Sequence, residues 1–459
     1  MSEASVVESE ARSFKRYPAY KDSGIEWLGY IPAHWSVNRT KFVARLRSGH
    51  TPSRQHPEYW ENCTIPWFGL ADVWQIREGA VEYVSETNEK ISELGLANSA
   101  ARLLPRGTVI LSRTASVGFA AILNVDMATT QDFVNWVCGP SIRPEYLLYV
   151  FRSMQHEFRR LTMGSTHQTI YMPDVGQFST PIPPIREQER IVELIRSETG
   201  RIDALVAKKE RLIQLLEEKR TALITRAVTK GIDPTAPMKD SGVEWLGEIP
   251  VHWGTSFLDK LIDPLRRITY GIVQPGDPDP DGIPMVRGQN YSRGWSPLEE
   301  IFRVAPAIEA PYLRARLRPG DIVMTIVGAG TGNVAIVPDW LAGANVTQTT
   351  ARIALDSRKG NNRYFAYQLA SVVGNVSVEL TVKGAAQPGL NLGHLAKYRM
   401  VVPPATEQEC IANYLDRETA AFEALVTKSR DAVQRLKEFR AALISAAVTG
   451  KIDVREDVA

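Results

Sequence analysis

Residues 21–35 have the sequence KDSGIEWLGYIPAHW, and residues 239–253 repeat it as KDSGVEWLGEIPVHW. The two copies are identical at 12 of 15 positions, and their starts lie 218 residues apart. A spacing of this size indicates that a whole domain has been duplicated, because solenoid and propeller repeats recur roughly every 20–50 residues. The chain is therefore expected to consist of two related halves.

A second pair of related segments, 181–233 and 401–453, lies 220 residues apart. Both begin with a Pro-Pro pair followed by Glu-Gln, and they end in AVTKGID and AVTGKID respectively. Proline is tolerated at a helix start, where the acidic residues that follow also suit the positive end of the helix dipole. Each segment is predicted to be one long helix, and about 44 residues at roughly 1.5 Å per residue give a rod on the order of 66 Å.

The two predicted helices carry a narrow apolar stripe with heptad-like spacing. Its residues are Ile202, Leu205, Leu212, Leu216 and Leu223 in the first helix and Phe422, Leu425, Leu436 and Leu443 in the second. A narrow stripe between charged residues favours a two-helix coiled coil over burial in a broad core. The sequence leaves parallel and antiparallel packing open. Antiparallel packing would place the two intervening domains at opposite ends of the helices, a separation suited to two half-sites on DNA.

The segments between the repeats share a plan but differ in sequence. Short apolar runs bounded by turn residues predict strands, and longer amphipathic patterns predict helices. The predicted strands are 109–114, 119–125 and 133–137 in the first half and 321–327 and 333–337 in the second, with helices at 144–161 and 362–373. Each half is therefore expected to hold a mixed α/β domain.

The composition resembles that of ordinary globular proteins, with 44% hydrophobic and 23% charged residues. No apolar run reaches the roughly 18 residues of a membrane span, and the polar N-terminus lacks the apolar core of a signal peptide. Cys63, Cys138 and Cys410 lie far apart, which predicts neither a disulfide nor a metal site and suggests a cytoplasmic location. The net charge of +2 neither requires nor excludes a nucleic-acid partner.

The paired motifs KDSG(I/V)EWLGxIPxHW, PPxxEQ and AVT(K/G)(G/K)ID together resemble the specificity subunit of type I restriction-modification systems. The resemblance covers about residues 15–453. It implies an α+β fold in which two target-recognition domains of mixed α/β type are joined by two long helices that form an antiparallel coiled coil, with a pseudo-two-fold internal repeat. The expected limits are a tail at 1–20, a first target-recognition domain at 21–180, a central helical region at 181–233, a second target-recognition domain at 234–400, a C-terminal helical region at 401–453 and a tail at 454–459.

The resemblance also implies partners. Each target-recognition domain would read one half of a bipartite, asymmetric site on double-stranded DNA. The helical regions would dock two modification subunits, which methylate adenine, and restriction subunits would join the complex. No cofactor is expected on this chain itself, because S-adenosylmethionine, ATP and Mg²⁺ are expected on the partner subunits.

Sequence signals for catalysis are absent. The adenine methyltransferase motif Asn/Asp-Pro-Pro-Tyr/Phe does not occur, since the only Pro-Pro pairs stand at the two helix starts. The segment VGAGTGN at 327–333 lacks the GK[ST] of a nucleotide-binding loop and is predicted to be a hairpin turn. His34 and His252 are interpreted as packing residues. The chain is therefore interpreted as a non-catalytic subunit.

The predicted turns carry the candidate DNA contacts. Base edges are read by Arg, Lys, Asn, Gln, Ser or Thr side chains, and phosphates are bound by Arg, Lys or backbone amides. The candidates are Gln75, Arg77, Ser112, Arg113, Thr114, Thr166, His167 and Gln168 in the first half and Arg287, Gln289, Asn290, Arg293, Thr325, Lys383 and Gln387 in the second. Trp60, Trp67 and Trp74 are interpreted as core residues rather than as platforms for base stacking.

Two functions of different classes agree with these features. The first is a DNA-recognition subunit of a methyltransferase–nuclease complex. The alternative is a pseudo-symmetric scaffold that bridges two partner proteins without reading DNA, which explains the repeated helices but not the two divergent domains. A self-contained restriction enzyme is a weaker third interpretation, because the sequence contains neither a methyltransferase motif nor a recognisable nuclease cluster.

Overall fold

The computed structural model describes residues 14–77, 79–162, 168–292, 294–328, 330–374 and 390–455. The chain divides into two compact units. The first unit comprises Met1–Lys209 and Ala432–Ala459, and the second comprises Glu210–Asp431. Each unit therefore contains one repeated block, one intervening segment and part of each long helical region.

The first unit combines short strands with helices. Its strands are β1 (Tyr20–Asp22), β2 (Tyr30–Pro32), β3 (Ser36–Arg39), β4 (Ala44–Ser48), β5 (Ile65–Phe68), β6 (Tyr83–Val84), β7 (Glu89–Ile91), β8 (Val109–Ser112), β9 (Ala120–Leu123), β10 (Ala128–Thr129), β11 (Phe133–Cys138) and β12 (Ser179–Ile182). Its helices are α1 (Thr40–Val43), α2 (Glu93–Ala97), α3 (Pro144–Ser153), α4 (Gln155–Leu161), α5 (Met172–Val175) and α6 (Ile185–Lys230), the last of which continues into the second unit.

The main sheet of the first unit has the strand order β4-β11-β8-β9-β6. Smaller sheets have the orders β10-β5-β7, β1-β2 and β12-β3. Every residue of β8 and β9 is buried, which explains why both strands are continuous apolar runs rather than alternating ones. The buried side chains of α3 belong to the same hydrophobic core as this sheet.

The second unit is built in the same way. Its strands are β13 (Met238–Asp240), β14 (Glu248–Pro250), β15 (Gly254–Phe257), β16 (Thr269–Tyr270), β17 (Ile283–Val286), β18 (Arg303–Val304), β19 (Ile322–Thr325), β20 (Val334–Ile336), β21 (Asn345–Val346), β22 (Thr350–Ile353) and β23 (Arg399–Val402). Its helices are α7 (Pro306–Glu309), α8 (Asn362–Ala370), α9 (Leu392–Ala396) and α10 (Ala405–Val448), the last of which continues into the first unit. Short 3₁₀ turns occur at Pro57–Trp60, Leu70–Gln75, Leu258–Lys260, Gly288–Asn290, Leu298–Glu300, Ala310–Ala315 and Asp339–Leu341.

The two units share their strand order although their sequences differ in these sheets. The antiparallel set β11-β8-β9 corresponds to β22-β19-β20, and the parallel pair of β5 and β10 corresponds to that of β17 and β21. The small sheets β1-β2 and β12-β3 correspond to β13-β14 and β23-β15. The duplication predicted from the repeated segments therefore extends through the divergent segments between them.

The predicted strands and hairpins of the divergent segments are confirmed, but each predicted helix is interrupted, the first at Met154 and the second at Ser371. Residues 144–161 form two helices, α3 and α4, because Met154 between them has the non-helical angles φ −86° and ψ 14°. The helix predicted at 362–373 is α8, which ends at Ala370.

A carboxylate in the first turn of α6 holds the first repeated block. Trp35 donates from Nε1 to Oε2 of Glu187 at 2.9 Å, and Tyr17 donates from its hydroxyl to the same oxygen at 3.0 Å. His34 Nε2 lies 2.8 Å from Oε1 of Glu187. These four residues form the first anchor. Burial, and then the nearby Glu187 carboxylate, raises the pKa of the Tyr17 phenol well above its ordinary value, which keeps the phenol protonated as a donor.

The second unit repeats this arrangement. Trp253 donates from Nε1 to Oε2 of Glu407 at 2.9 Å, and His252 Nε2 lies 2.7 Å from Oε1. These three residues form the second anchor. His34 and His252, which were interpreted as packing residues, are thus hydrogen-bonding partners of the two carboxylates.

The glutamine that follows each anchoring glutamate ties the helix start to the α/β segment. Gln188 accepts from the Arg143 amide at 2.9 Å and donates to the Pro183 carbonyl at 3.0 Å. In the second unit Gln408 accepts from the Asn361 amide at 2.8 Å and donates to the Pro403 carbonyl at 2.9 Å. In each Glu-Gln dipeptide the glutamate therefore fixes the repeated block. The glutamine fixes the residue directly before α3 or α8.

The AVT motif at the end of each long helix completes these clusters. Gly450 and Gly231 have φ angles of +72° and +76°, a conformation that favours glycine. A Cβ on Gly450 would lie 3.1 Å from Cζ3 of Trp35, and a Cβ on Gly231 would lie 3.2 Å from Cζ2 of Trp253. The buried indole of the first unit thus packs on the end of α10, and that of the second unit packs on the end of α6.

Burial along the long helices corrects the predicted apolar stripe at three positions. Ile202 and Leu443 are buried, and Leu216, Leu223, Phe422 and Leu436 are half-buried, as a stripe requires. Leu205, Leu212 and Leu425 are instead exposed, so the prediction is wrong there. In each case the next residue, Val206, Ile213 or Val426, is the less exposed one. Two adjacent apolar residues stand at each of these positions, and the second residue of the pair takes the less exposed place.

Gly200 lies exposed inside α6, and no atom lies within 4 Å of a Cβ placed on it. Gly200→Ala is expected to raise the free energy of unfolding by roughly 0.5–1 kcal/mol, because alanine loses less backbone entropy in a helix. Chemical denaturation followed by circular dichroism measures this change. Gly231→Ala is the opposing control and should destabilise by about 1 kcal/mol or more, because its φ is positive. A destabilised Gly200→Ala variant would show that the helix needs glycine here.

Glu187→Ala is expected to lower the free energy of unfolding by about 2–3 kcal/mol, because it leaves the N–H of Trp35 and the O–H of Tyr17 buried without an acceptor. Urea denaturation followed by tryptophan fluorescence measures the loss. Glu189→Ala is the matched control on the same helix turn, since Glu189 pairs with Arg143 at the surface and its removal should cost less than about 1 kcal/mol. Equal losses in the two variants would argue against a special role of the anchor.

Candidate nucleic-acid interface

The tip of the hairpin between β8 and β9 holds three of the candidate residues. Ser112 is fully buried, and its hydroxyl bonds to the Ser116 carbonyl and accepts from the Phe119 amide at 3.0 Å. Ser112 therefore closes the turn and does not face solvent. Arg113 is half-buried and donates from Nε to the Gln131 carbonyl at 3.1 Å. No carboxylate among the described residues pairs with Arg113, so its positive charge is available to an anion.

The backbone at this tip is strained at Ala115, whose φ is +59°. A left-handed conformation costs a residue with a side chain about 1–2 kcal/mol. The Ala115 amide donates to the Gln168 carbonyl at 2.8 Å, and Thr114 forms a β-bridge with Thr169. The structure thus brings two predicted groups of candidates together, since Thr114 and the exposed Gln168 lie side by side. Strained residues of this kind often occur at functional sites.

Two polar residues beside this tip are not among the candidates that the sequence predicts. Thr51 donates from its hydroxyl to Oε1 of Gln131 at 2.6 Å, and the Gln131 carbonyl accepts from Arg113. Thr51 follows β4 and Gln131 follows β10, so only the sheet order brings them to the hairpin. Neither residue follows an apolar run, since RLRSGH precedes Thr51 and DMATT precedes Gln131, so the sequence carries no local signal for them.

Gln75 and Arg77 lie elsewhere in the first unit. They come at the end of the 3₁₀ turn Leu70–Gln75, which begins after β5. Gln75 donates from Nε2 to the Glu86 carbonyl at 3.2 Å, whereas Arg77 is exposed. No hydrogen bond between described residues links this pair to the hairpin tip. They form a second candidate surface of the same unit.

The tryptophans near this turn differ from one another. Trp67 is buried, which confirms its interpretation as a core residue, and Trp60 is half-buried against it with ring centroids 5.4 Å apart. Trp74 is 67% exposed, so its interpretation as a core residue is wrong. The 3₁₀ turn presents Trp74 outward because Val73 and Ile76 take the buried positions.

In the second unit the turn after β17 meets the end of β19. A Cβ on Gly288 would lie 2.7 Å from Oγ1 of Thr325, so only glycine allows this approach. Asn290 accepts from the Arg287 amide at 2.9 Å, and the Thr325 hydroxyl lies 2.8 Å from that of Tyr291. Asn290 and Thr325 are buried, so they shape the turn from beneath.

The turn presents two other candidates outward. Gln289 is exposed, and Arg287 is half-buried with its guanidinium 4.3 Å from the ring centroid of Phe302. Stacking on Phe302 fixes the direction of the guanidinium while its N–H groups stay available. Five further candidates, Thr166, His167, Arg293, Lys383 and Gln387, lie outside the described residues.

The segment 327–333 lies between β19 and β20 and forms the hairpin turn that was predicted. The Thr325 amide donates to the Asn333 carbonyl at 2.9 Å, and Gly328 and Gly332 have φ angles of +103° and +97°. Asn333 is exposed at the end of this turn and was not among the candidates. This hairpin corresponds in topology to the hairpin of β8 and β9, and the turn after β17 corresponds to the turn after β5.

Both units therefore present Arg, Gln, Thr or Asn side chains on two equivalent loops. Arginine can bind guanine with two hydrogen bonds, and glutamine or asparagine can bind adenine in the same way, both in the major groove. These loops are chemically suited to reading base edges. Within the described ranges, no group of three or more His, Cys, Asp and Glu residues could hold a metal ion. The described helices include none that is long and apolar enough to cross a membrane.

Comparison with known proteins defines the class. The family described as type I restriction modification DNA specificity domain matches residues 32–214 and 309–435, which is more than half of the chain. The chain belongs to this family.

Relatives and solved structures agree with this assignment. The chain is 24% identical over 445 residues to the MjaIX specificity subunit of a type I restriction enzyme from Methanocaldococcus jannaschii, covering 94% of this chain and 96% of the relative. It is 27% identical over 278 residues to the EcoBI specificity subunit of Escherichia coli, covering 59% of this chain and 58% of the relative.

Two solved structures have a similar fold. One is a chain from a study of complex assembly and conformational transition of the type I restriction-modification system, with a TM-score of 0.70, 18% identity and coverage of 92% of this chain and 99% of that chain. The other is the HsdS subunit from Thermoanaerobacter tengcongensis, with a TM-score of 0.52, 18% identity and coverage of 92% and 98%.

Ala115→Gly is expected to raise the free energy of unfolding by roughly 0.5–1 kcal/mol, because glycine adopts a positive φ without the clash of a Cβ. Thermal unfolding followed by circular dichroism measures this change. Gly118→Ala on the same hairpin is the opposing control, since Gly118 has φ +91° and a Cβ there would lie 3.0 Å from Cδ2 of Phe158. An unstable Ala115→Gly variant would mean that the hairpin tip is not strained.

Proposed function

We propose that this chain is the DNA sequence-recognition subunit of a type I restriction-modification complex, and that each unit reads one half of a bipartite, asymmetric site. The observation that carries the proposal is the combination of equal scaffolds with unequal loops. Both units hold a Trp-His pair anchored on a glutamate and the same strand order, while the equivalent hairpins carry Arg113 and Thr114 in one unit and Asn333 in the other. Two different readers on one repeated scaffold suit a target whose halves differ in sequence.

The proposed contacts are the outward-facing candidates. They are Arg113, Thr114 and Gln168, with Gln75 and Arg77, in the first unit, and Arg287, Gln289 and Asn333 in the second. Ser112, Asn290 and Thr325 are buried and are proposed to shape the loops instead. Thr166, His167, Arg293, Lys383 and Gln387 remain candidates on the basis of the sequence.

The two long helices are proposed to form an antiparallel coiled-coil spacer. In the second unit Arg220 pairs with Glu423 at 3.2 Å, and Glu217 pairs with Arg430 at 2.8 Å. Residue numbers rise along α6 as they fall along α10, which supports the antiparallel direction. These pairs are exposed and contribute at most about 1 kcal/mol each. They therefore indicate the relative direction of the two helices but add little stability.

The exposed apolar residues of the helices support a docking role. Leu205, Leu212 and Leu425 face outward, together with Phe439. We propose that they contact two modification subunits and that restriction subunits join this complex in the cytoplasm. The chain itself is proposed to be non-catalytic and to bind no cofactor, so that S-adenosylmethionine, ATP and Mg²⁺ belong to the partner subunits.

Exchange of residues 36–180 for the matching segment of another member of the family tests the proposal. The chain and its modification subunit are produced in a host without adenine methylation, and methyladenine is located across the genome. The exchange is expected to alter one half of the methylated motif and leave the other half intact, because the second unit keeps its loops. The reciprocal exchange of residues 254–400 should alter the other half.

Two results would contradict the proposal. One is an unchanged motif after an exchange that still yields the assembled complex. The other is an assembled wild-type complex that methylates no defined motif, which would favour a scaffold that does not read DNA. Size-exclusion chromatography of each complex separates these results from a failure of assembly.

A further inference from the structure

The second unit carries a cluster of arginines away from its candidate DNA loops. Arg266, Arg267, Arg314, Arg316, Arg318 and Arg352 line one concave surface that encloses about 930 Å³. The first five form the arginine surface, and Arg352 lies beneath them. Arg318 stands just before the start of β19, whereas the glycine turn at 327–333 follows its end. The arginine surface therefore lies at the opposite end of β19 from the loops proposed to read DNA.

Only part of the positive charge on this surface is neutralised. Arg266 makes two hydrogen bonds of 2.6 Å to the Asp321 carboxylate, and Arg316 makes two of 2.7 and 2.9 Å to the Glu309 carboxylate. The side chains of Arg267, Arg314 and Arg318 are exposed and have no hydrogen bond or ion pair to any described residue. Three guanidinium groups are thus open to a negatively charged partner.

A buried charge supports this surface from beneath. Arg352 is fully buried and donates to the carbonyls of Arg266, Arg267 and Arg314 at 3.1, 3.0 and 2.9 Å. These bonds hold together the backbone segments from which three of the exposed or half-exposed arginines project. Burial, and then repulsion by Arg266, lowers the pKa of Arg352 to about 10, so the group is still charged at neutral pH.

The first unit does not share this feature. Arg352 pairs across the sheet with Val323 and Thr269, and the residue paired in the same way in β11 is Asn135. Asn135 instead makes its hydrogen bonds to Thr129, a residue of β10 in the neighbouring sheet. The arginine surface is therefore a property of the second unit and not of the repeated scaffold.

The rim of the arginine surface is apolar. Leu265 is 93% exposed, Leu313 is 54% exposed, and Tyr270 lies partly exposed beside them. Arginine together with exposed apolar and aromatic groups is typical of protein interfaces, where such residues contribute most of the binding energy. Phosphate contacts are made instead by basic and small polar side chains and by backbone amides. Both the apolar rim and the distance from the DNA loops favour a protein partner over the DNA backbone.

We propose that the arginine surface docks an acidic face of a partner protein, with Leu265 and Leu313 as apolar anchors. Carboxylates of the partner would pair with Arg267, Arg314 and Arg318, and a small apolar patch between them would cover the two leucines. The proposal rests on the proposed function in one respect, since the partner is taken to be a modification or restriction subunit of the same complex. It adds a docking surface outside the long helices, on the second unit.

The test uses the full-length chain with Arg267→Glu, Arg314→Glu and Arg318→Glu combined. Its affinity for the purified modification subunit and for the purified restriction subunit is measured by surface plasmon resonance at low and moderate salt. The triple variant is expected to lose at least about tenfold in affinity for one of them, and the salt dependence of the remaining binding should be weaker. Leu265→Ser, which leaves the charge unchanged, should also weaken that binding.

The first unit supplies a matched control. Arg45, Arg102 and Arg106 are exposed arginines there, and changing all three to Glu alters the net charge of the chain by the same amount. This control variant should bind both subunits as the wild-type chain does. Equal losses in the two triple variants would mean that net charge, and not the arginine surface, determines binding, and would overturn the proposal.

A measurement of DNA binding distinguishes the proposal from the alternative that the arginine surface binds the DNA backbone. Affinity for a DNA duplex that contains the methylated motif should be unchanged in the triple variant of the second unit. A loss of DNA affinity with a smaller salt slope, by roughly 0.9 for each phosphate contact removed, would show that the surface binds the DNA backbone instead. Unchanged binding of both subunits, or no binding of either by the wild-type chain, would also overturn the proposal. Because subunit titration needs no DNA, its outcome is independent of whether the chain reads a sequence.

Discussion

The structure depends on the need of a buried indole N–H for an acceptor, which Glu187 and Glu407 supply. An unpaired polar group in such a place costs about 1–3 kcal/mol, and a carboxylate accepts more strongly than a neutral group. Each glutamate also stands in the first turn of a long helix, where the helix dipole favours negative charge. One side chain thus serves the helix start and the repeated block together, which leaves little freedom to change either. The motifs that recur along the chain are those that meet at this carboxylate.

This constraint explains why so much of the fold could be predicted from the sequence. The helix starts, the hairpins and the duplication rest on local signals that the residues themselves carry, such as Pro-Pro pairs, glycine turns and apolar runs. Local signals do not decide which apolar residues form the stripe along the long helices. At Leu205 and Val206 both residues are apolar, and only packing against another element decides which one is buried. The break at Met154 could not be predicted either, because no residue near it forbids a continuous helix.

The candidate interface was less accessible to prediction, for a different physical reason. A polar residue at a turn can bind a ligand, or it can satisfy the backbone groups that the turn leaves unpaired. Ser112 and Asn290 bond to backbone groups of their turns, and Thr325 bonds to the Tyr291 hydroxyl. Arg113 also donates to a backbone carbonyl but has no carboxylate partner among the described residues, and Gln289 is exposed. The sequence alone presents all five alike. Thr51 and Gln131 illustrate the opposite case, because they lie at the site although the sequence does not predict them there. They come from distant loops, and the order of strands in the sheet brings them to Arg113.

Each unit is completed by the end of the long helix that does not directly follow its α/β part. The first unit is completed by the end of α10 and the second by the end of α6, because Gly450 packs on Trp35 and Gly231 packs on Trp253. A segment consisting of one block, its α/β part and only its own following helix would lack the helix end on which its indole packs. The three motifs are therefore coupled across the whole chain, whereas no hydrogen bond between described residues joins Arg113, Gln168, Arg287 or Gln289 to them. Variation can accumulate in Arg113, Gln168, Arg287 and Gln289 without disturbing either anchor, and this separation allows one scaffold to carry two different readers.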